Sequence, residues 1–282
     1  MEILKPGRIL VDYGPVTMVI EASRKGKPDT EAALSGAEIV PVMLEQVRKF
    51  LPEARTEVAK LSFGLEPAYP EVFRKMVAAV RALGEPDFTP MAAVAGSFSE
   101  MVKDTVVAAG ADRVCVNNGG DISLYLADDG RPFRVGILRD LAEGKVTHVI
   151  PLGKDDNIRG IATSGFGGRS LTKGVASAVT VLSAHASYAD AAATAVANAT
   201  NCTSPAVVKC LAQELDSQTD INNHMVTKSI GILNREEIET ALSSGMQCAE
   251  RLIRENMIQG VVIFLQGQMR SWPQQIAKCI QQ

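Results

Sequence analysis

RVCVNNGGDISLYLA, residues 113–127, is the segment most indicative of the fold class. Apolar residues alternate with polar ones on both sides of its centre, which predicts strands over 113–117 and 122–127. Between them, Asn and Gly residues favour the tight turn of a hairpin. A sheet fed by hairpins as well as by helices is typical of an α+β protein and not of a doubly wound one.

The flanking sequence supports this fold class, because strand and helix patterns follow one another along the chain. The predicted strands are 9–22 (two strands meeting at Gly14-Pro15), 133–138 (entered by a hairpin turn at Asp129-Gly130), 145–151, 159–163, 175–183, 225–233 and 260–266. The predicted helices are 30–50, 69–83, 97–109 (opened by a Ser97–Glu100 capping box), 188–198, 205–215, 235–256 and 271 to the end. We therefore expect antiparallel or mixed sheets flanked by helices. We expect one domain over 1–282, or two intimately packed halves.

Composition narrows the class of protein. The chain has 282 residues, is 46% hydrophobic and carries a formal net charge of −3. It contains no long Lys/Arg block and no apolar stretch of membrane-spanning length, so we expect neither a nucleic-acid nor a membrane partner. We read no signal peptide in Met1–Arg8, and the five cysteines form no Cys-x-x-Cys pair, so we predict a cytoplasmic protein.

The turn Asn117-Asn118-Gly119-Gly120-Asp121 has two interpretations. Adjacent glycines let the backbone approach a ligand closely, which would make these five residues part of a cofactor-binding site. The alternative is an ordinary Asn/Gly hairpin turn, and turn chemistry alone favours it.

A second candidate is Thr163-Ser164-Gly165, followed by Phe-Gly-Gly-Arg169. Hydroxyls, backbone N–H groups and an arginine together suit a phosphate group. The sequence is not a Walker loop, because Gly-x-x-x-x-Gly-Lys-Ser/Thr is absent. The alternative is a flexible glycine loop.

Asp190 and Thr194 form the third candidate, inside an alanine-rich helix. Residues four apart share one helix face, and a carboxylate with a hydroxyl supplies two hard oxygen ligands for Mg²⁺ that also touches a ligand phosphate. The alternative is an aspartate that caps its own helix or favours the helix dipole.

Histidine and cysteine show weaker patterns. His148, His185 and His224 form no His-x-x-x-His pair, and each is predicted to be an ordinary surface or structural residue. Cys115 is the thiol nearest the Asn-Asn-Gly-Gly turn, and a buried strand cysteine is its favoured interpretation.

Taken in order, these segments resemble the ApbE superfamily, which moves FMN from FAD onto protein threonines. The resemblance covers about 91–198 and rests on four motifs: Met91-Ala-Ala-Val-Ala95, Val114-Cys-Val-Asn-Asn-Gly-Gly-Asp121, Ile161-Ala-Thr-Ser-Gly165, and Val179-Thr-Val181 followed by Ala189-Asp-Ala-Ala-Ala-Thr194. It implies that Asp190, Thr194 and the Ala95 carbonyl hold Mg²⁺, that FAD or another flavin or nucleotide is the ligand, and that chains associate as homodimers.

Ala197-Asn198, Thr219-Asp220-Ile221 and the long helix before 260–266 look like the UPF0280 branch of ApbE-like proteins, which matches the whole chain. Two departures from the ApbE pattern bear on activity. The usual Lys-Gly pair after the central alanine is replaced by Gly96 and Ser97. The usual His-x-x-Asp-Pro segment is missing, and only 167–174 lies in its place.

Three functions therefore stay open, one of them a purely structural dimer module with a vestigial pocket. The favoured one is a protein that binds a phosphorylated small molecule with a divalent metal and has an accessory role in anaerobic sulfur assimilation and homocysteine formation, as its branch members suggest. The alternative is an Mg²⁺-dependent enzyme, either a flavin transferase or one that cleaves the pyrophosphate of FAD.

Overall fold

The structure is a computed structural model that describes residues 1–61, 68–127 and 130–280. The chain divides into two compact units. Unit 1 comprises Met1–Pro132, Gly153–Ala162 and Ser183–Ala191. Unit 2 comprises Phe133–Leu152, Thr163–Leu182 and Ala192–Gln282. Whether they act as one domain stays a prediction.

Strands and helices are numbered in chain order. The strands are β1 (Glu2–Lys5), β2 (Arg8–Tyr13), β3 (Val16–Arg24), β4 (Lys27–Pro28), β5 (Arg113–Asn118), β6 (Asp121–Leu126), β7 (Phe133–Leu138), β8 (Val146–Leu152), β9 (Gly160–Ser164), β10 (Ala178–Ser183), β11 (Val207–Leu211), β12 (Met225–Ile230), β13 (Gly260–Leu265), β14 (Gln268–Trp272) and β15 (Lys278–Cys279). The helices are α1 (Thr30–Lys49), α2 (Leu51–Ala54), α3 (Glu71–Leu83), α4 (Val94–Ala108), α5 (Ala186–Ala199), α6 (Ala212–Leu215) and α7 (Arg235–Arg254). Short 3₁₀ turns at Val58–Lys60, Pro90–Ala93 and Lys154–Asp156 complete the regular structure.

Unit 1 is an antiparallel sheet covered by helices. Its strands pair in the order β1-β2-β3-β5-β6-β9, and β4 pairs with β3. Helix α1 packs on β2 and β3, and α4 packs on β5 and β6. Met18, Ile20 and Val116 are fully buried beneath them, as the period-two pattern of half-buried strands requires.

Unit 2 contains three groups of antiparallel strands. These are β10-β13-β14, β15-β8-β7 and β11-β12. Every residue of β10 and β13 is buried, which explains their nearly continuous apolar sequences. Helix α7 packs on β13 and β14 and begins with a capping box between Asn234 and Glu237.

The predicted fold class, α+β with antiparallel sheets flanked by helices, is confirmed. Two predicted helices are wrong. Residues 205–215 form β11 and the short α6, because the β-branched Val207 and Val208 pair with β12. After residue 271, β14 continues to Trp272 and β15 pairs with β8, so no helix forms over the described residues there.

Two turn and cap predictions also need correction. Helix α4 begins at Val94 with Ala93 as its N-cap, so Ser97 lies inside the first turn and does not cap it. Asp129 of the predicted hairpin turn lies outside the described residues, and β7 pairs with β8 in place of the predicted partner β6. In the part of the chain that the structure describes, no helix is both long and apolar enough to span a membrane.

Candidate functional site

The β5–β6 hairpin presents the first candidate residues. Asn118 pairs with Asp121 across a two-residue loop, and Gly119 (φ 68°) and Gly120 (φ 113°) both adopt positive φ. The Gly120 N–H donates to the Asn117 side-chain oxygen at 2.9 Å. The hairpin-turn interpretation is therefore correct for the local structure, and the turn leaves Asp121 as the first residue of β6.

The hairpin is tied to the start of α4 by Asn118. This side chain is buried, and its Nδ2 donates to the Ala95 carbonyl oxygen at 3.2 Å. One of the two acceptor positions on that oxygen is thereby used. The Ala95 carbonyl, which the resemblance assigns to Mg²⁺, lies beside the turn but is already hydrogen-bonded.

Asp190 caps α4 and not its own helix. The Gly96 N–H, in the first turn of α4, donates to Asp190 Oδ2 at 2.8 Å, whereas the N-cap residue Ala93 supplies no side-chain hydrogen bond. Asp190 itself lies in the second turn of α5, beyond the reach of that helix's own first amides. A carboxylate at the positive end of α4 is electrostatically favourable there.

Glycine at position 96 is required by close helix packing. A Cβ added to Gly96 would lie 2.2 Å from the Ala186 carbonyl oxygen and 2.7 Å from Asp190 Cβ. The lysine that the ApbE pattern places here could not be accommodated without moving α4 away from α5. The presence of glycine in place of lysine at position 96 thus accompanies the close contact through which Asp190 accepts from the Gly96 N–H.

Asp121 and Asp190 form an interacting carboxylate pair. Burial is the main cause that raises the pKa of Asp190 to about 7, against the hydrogen bonds from Gly96 and Ala95 that lower it. Burial, and then the charge of Asp190, raise the pKa of Asp121 well above its usual range. Both side chains remain partly exposed. Two desolvated carboxylates of like charge favour a proton or a cation between them.

The remaining predicted residues lie in unit 2. Thr194 is one turn after Asp190 in α5 and is half-buried. Thr163 and Ser164 end β9, and Thr163 Oγ1 lies 2.9 Å from Thr180 Oγ1. Gly165 follows with φ 145°, where an added Cβ would lie 3.0 Å from the Ala176 carbonyl oxygen. Of the predicted site residues, the structure thus brings together those of unit 1, among them Ala95, Asn118, Asp121 and Asp190.

Protein carboxylates and histidines alone would not complete a metal site. Across 1–61, 68–127 and 130–280, no group of three or more His, Cys, Asp or Glu side chains could hold a metal ion. A cation at Asp121 and Asp190 would need further oxygens from hydroxyls, carbonyls, water or a ligand phosphate. This ligand set is typical of Mg²⁺, which is commonly held by one or two carboxylates.

Sequence reasoning missed the buried Glu100, which it assigned to a capping box. Glu100 Oε1 lies 2.9 Å from Lys75 Nζ and 3.3 Å from His185 Nδ1. Oε2 accepts from the Ser187 N–H at 3.1 Å and the Ser187 hydroxyl at 2.9 Å. The signal in the sequence is a carboxylate among small and apolar helix residues, where burial requires partners.

The charges of this cluster stabilise one another. Burial acts to raise the pKa of Glu100, but hydrogen bonds from His185 and Lys75 outweigh it and hold that pKa well below its usual range. For Lys75, burial acts to lower the pKa, and the hydrogen bond and charge of Glu100 outweigh it, so the pKa is raised. Both groups are therefore charged at neutral pH.

Helices α4 and α5 cap each other through these carboxylates. Asp190 of α5 accepts from Gly96 in the first turn of α4, and Glu100 of α4 accepts from Ser187 in the first turn of α5. First-turn N–H groups lack partners within their own helix, and each carboxylate accepts a hydrogen bond from such a group of the other helix. This exchange fixes Asp190 relative to α4.

Cys115 has the properties of an inert strand cysteine. Burial, and then the charge of Glu21, raise the pKa of the Cys115 thiol to about 12. Because the thiolate is the reactive form, we expect iodoacetamide at pH 7.5 to leave Cys115 unmodified in the folded protein while it modifies the exposed Cys279. Peptide mass spectrometry measures both, and unfolding in urea should make Cys115 react. Rapid labelling of Cys115 in the folded protein would contradict this.

The sequence matches known proteins along nearly its whole length. The family model described as AbpE bacteria matches residues 1–271. A UPF0280 protein from Methanococcoides burtonii is 41% identical over 133 residues, which cover 46% of this chain and 53% of the relative. A UPF0280 protein from Methanosarcina barkeri is 42% identical over 135 residues, covering 47% and 50%. The chain spans about half the length of these curated relatives.

The fold matches a solved structure as well. A mutant of the flavin transferase ApbE from Vibrio cholerae superposes with a TM-score of 0.51 at 14% identity, covering 94% of this chain and 96% of that one. At this identity the likeness concerns the fold alone. The family match is independent of it and extends over both units. The chain therefore belongs to the family described as AbpE bacteria, is similar in sequence to UPF0280 proteins and shares the fold of the flavin transferase ApbE.

Proposed function

We propose that this protein is an Mg²⁺-dependent flavin transferase, which binds FAD through a cation at Asp121 and Asp190 and passes FMN to a hydroxyl acceptor. The observation that carries the proposal is that two carboxylates are placed at the start of α4, Asp190 by the Gly96 N–H and Asp121 by its pairing with Asn118, which bonds the Ala95 carbonyl. A pair of this kind is poorly solvated and mutually repulsive without a cation, and it is partly exposed, so a metal-bound ligand can reach it.

The residues at the start of α4 suit Mg²⁺ because they offer oxygen ligands. Asp121 and Asp190 supply carboxylate oxygens, and the Thr194 hydroxyl and the Ala95 carbonyl are the proposed additional ligands. When bound, Mg²⁺ neutralises charge on phosphoryl oxygens. The Gly96 N–H holds Asp190 in position, and Asn118 positions the Ala95 carbonyl.

The phosphate-binding role of Thr163, Ser164 and Gly165 and the flavin-binding role of Asn117–Asp121 belong to the same proposal. Hydroxyls and glycine N–H groups support it chemically. The solved neighbour is a flavin transferase, which supports FAD as the ligand to test first. The cytoplasmic location and the homodimer rest on sequence and resemblance and stay predictions.

The thiol considered for the other hypothesis, an accessory protein of sulfur assimilation, gives that hypothesis no support. Cys115 was its candidate, and a thiol whose pKa is about 12 is protonated at neutral pH. A protein that binds FAD without any reaction stays the competing outcome of the experiment.

The experiment measures AMP release from FAD, and flavin attached to a threonine-containing peptide, with Mg²⁺ or with EDTA. We expect Mg²⁺-dependent AMP release from the unsubstituted protein. Asp121→Asn and Asp190→Asn should reduce it by about 100-fold or more, the effect of losing several kcal/mol of metal-assisted stabilisation. The matched control is Asp12→Asn, an exposed aspartate on β2, which should react like the unsubstituted protein.

Two results would contradict the proposal. Tight FAD binding without AMP release, with or without Mg²⁺, would make the protein a binding protein. Unchanged activity in both Asp121→Asn and Asp190→Asn would show that other residues bind the metal.

A further inference from the structure

One histidine is held by a buried carboxylate close to the candidate site. His185 Nδ1 lies 3.3 Å from Glu100 Oε1, and the Glu100 side chain is only 6% exposed. The His185 side chain is 60% exposed. The ring is thus fixed at one nitrogen by the protein while much of its surface faces solvent.

This contact decides which ring nitrogen carries the proton. An ionised carboxylate only accepts hydrogen bonds, so Nδ1 must be the protonated nitrogen of the neutral ring. The lone pair is then on Nε2, the nitrogen that Glu100 does not contact. A carboxylate that orients an imidazole in this tautomer is the arrangement by which histidine serves as a general base.

The carboxylate is itself immobilised and charge-balanced. Both Ser187 donors bind Oε2, and Lys75 Nζ shares Oε1 with the His185 ring. Because Lys75 already neutralises Glu100, a cationic His185 is not needed to balance the buried charge. The His185 ring also lies against the Tyr188 ring, with the two centroids 5.6 Å apart.

His185 and Asp190 contact α4 about one helical turn apart. Asp190 meets α4 at Gly96 and His185 meets α4 at Glu100, four residues later, which is about 6 Å along the helix axis. Both contacts lie within unit 1.

We propose that His185 is the general base that removes the proton of the attacking hydroxyl, and that Glu100 is the positioning residue that holds it. The proposal rests on the proposed flavin transfer. The acceptor, a threonine hydroxyl or water, gives its proton to His185 Nε2 as its oxygen forms a bond to the FMN phosphorus of FAD. The bond from that phosphorus to the AMP phosphate oxygen breaks, and AMP leaves with the electron pair.

The first test is the tautomer of His185 in the unsubstituted protein, which avoids any question of folding. Histidine labelled with ¹⁵N in the full chain reports by NMR which ring nitrogen is protonated. We expect protonated Nδ1 and unprotonated Nε2 for the neutral ring of His185. The opposite tautomer would overturn the proposal.

The second test is the rate of AMP release by His185→Gln, with His148→Gln on β8 as the matched control. General base catalysis contributes about 10²–10⁴-fold, so we expect a loss of this size for His185→Gln and none for the control. Mg²⁺-dependent FAD binding should be retained in both. Glu100→Gln should slow AMP release without abolishing Mg²⁺-dependent FAD binding, and it should weaken the preference of the His185 ring for protonated Nδ1.

The outcomes separate the two proposals. If the unsubstituted protein releases AMP and His185→Gln does so equally fast, the base role fails and the flavin transferase stands. If the unsubstituted protein releases no AMP, the proposed function fails and the base role fails with it. A slow His185→Gln that also loses FAD binding would show a structural role and overturn the base role.

Discussion

Without divalent cations, the midpoint of thermal unfolding falls as the pH is raised from 5 to 8. Burial raises the pKa of folded Asp190 to about 7 from an ordinary value of 3.8, so the folded state binds more protons than the unfolded state between these values. The stabilisation by this proton is complete below about pH 4 and is lost as the pH rises through about 7. The loss is on the order of 2–4 kcal/mol, at about 1.4 kcal/mol per tenfold change in proton affinity.

Asp121, whose pKa is also raised, contributes to stability in the same direction as Asp190, whereas Glu100 and His148 do not. The lowered pKa of Glu100 contributes stability that is lost only in more acidic solution, below this pH range. Burial lowers the pKa of His148, so its contribution grows with pH and opposes the fall. His148→Gln should therefore steepen the fall slightly, whereas Asp190→Asn should flatten it.

Mg²⁺ should reverse the loss at high pH. A cation replaces the proton between the carboxylates, and at 100 times its Kd a ligand stabilises the folded state by about 2.7 kcal/mol. We expect this stabilisation at pH 8, a smaller one at pH 5, and none in Asp190→Asn at either pH. Stability in EDTA that rises steadily from pH 5 to 8 would contradict the account.

Gly96→Ala is expected to destabilise the protein and to remove its Mg²⁺ response together. The added Cβ would lie 2.2 Å from a backbone carbonyl, which cannot move independently of its helix. Overpacking of this kind costs about 1–3 kcal/mol, and here it also separates Asp190 from the Gly96 N–H. Urea unfolding with and without Mg²⁺ measures both effects.

The matched control is Gly153→Ala in the same unit. Its added Cβ would meet Asp156 Oδ2 at an ordinary 3.7 Å, so we expect a change within about 0.5 kcal/mol. Gly96→Lys, which restores the residue of the ApbE pattern, should be at least as destabilising as Gly96→Ala. A stable Gly96→Lys protein with a normal Mg²⁺ response would show that the contact between α4 and α5 is misplaced.

Local sequence patterns predicted most of the fold. The hairpin around Gly119-Gly120 and the helices at 30–50 and 235–256 follow from turn chemistry, capping and apolar periodicity, which act over a few residues. Residues 205–215 were predicted wrongly because their strand pairing with 225–230 is a long-range contact. The residues from 271 onwards were predicted wrongly for the same reason, because the pairing of β15 with β8 is also a long-range contact.

The candidate site was predictable in part. The sequence suggested Asp121 and Asp190 separately, but their interaction depends on where the hairpin and α5 meet α4. A capping role for Asp190 was considered only as an alternative and within its own helix, whereas in the structure Asp190 accepts from the Gly96 N–H of α4. Glu100 and His185 were assigned ordinary roles, since 85 residues separate the two partners along the chain.

A divalent cation held by Asp121 and Asp190 can be located in an anomalous difference map from a crystal of this protein soaked in Mn²⁺. Mn²⁺ accepts the same oxygen ligands as Mg²⁺. We expect one strong peak within bonding distance of both carboxylates. A map with no peak there, or with its strongest peak away from both carboxylates, would contradict it.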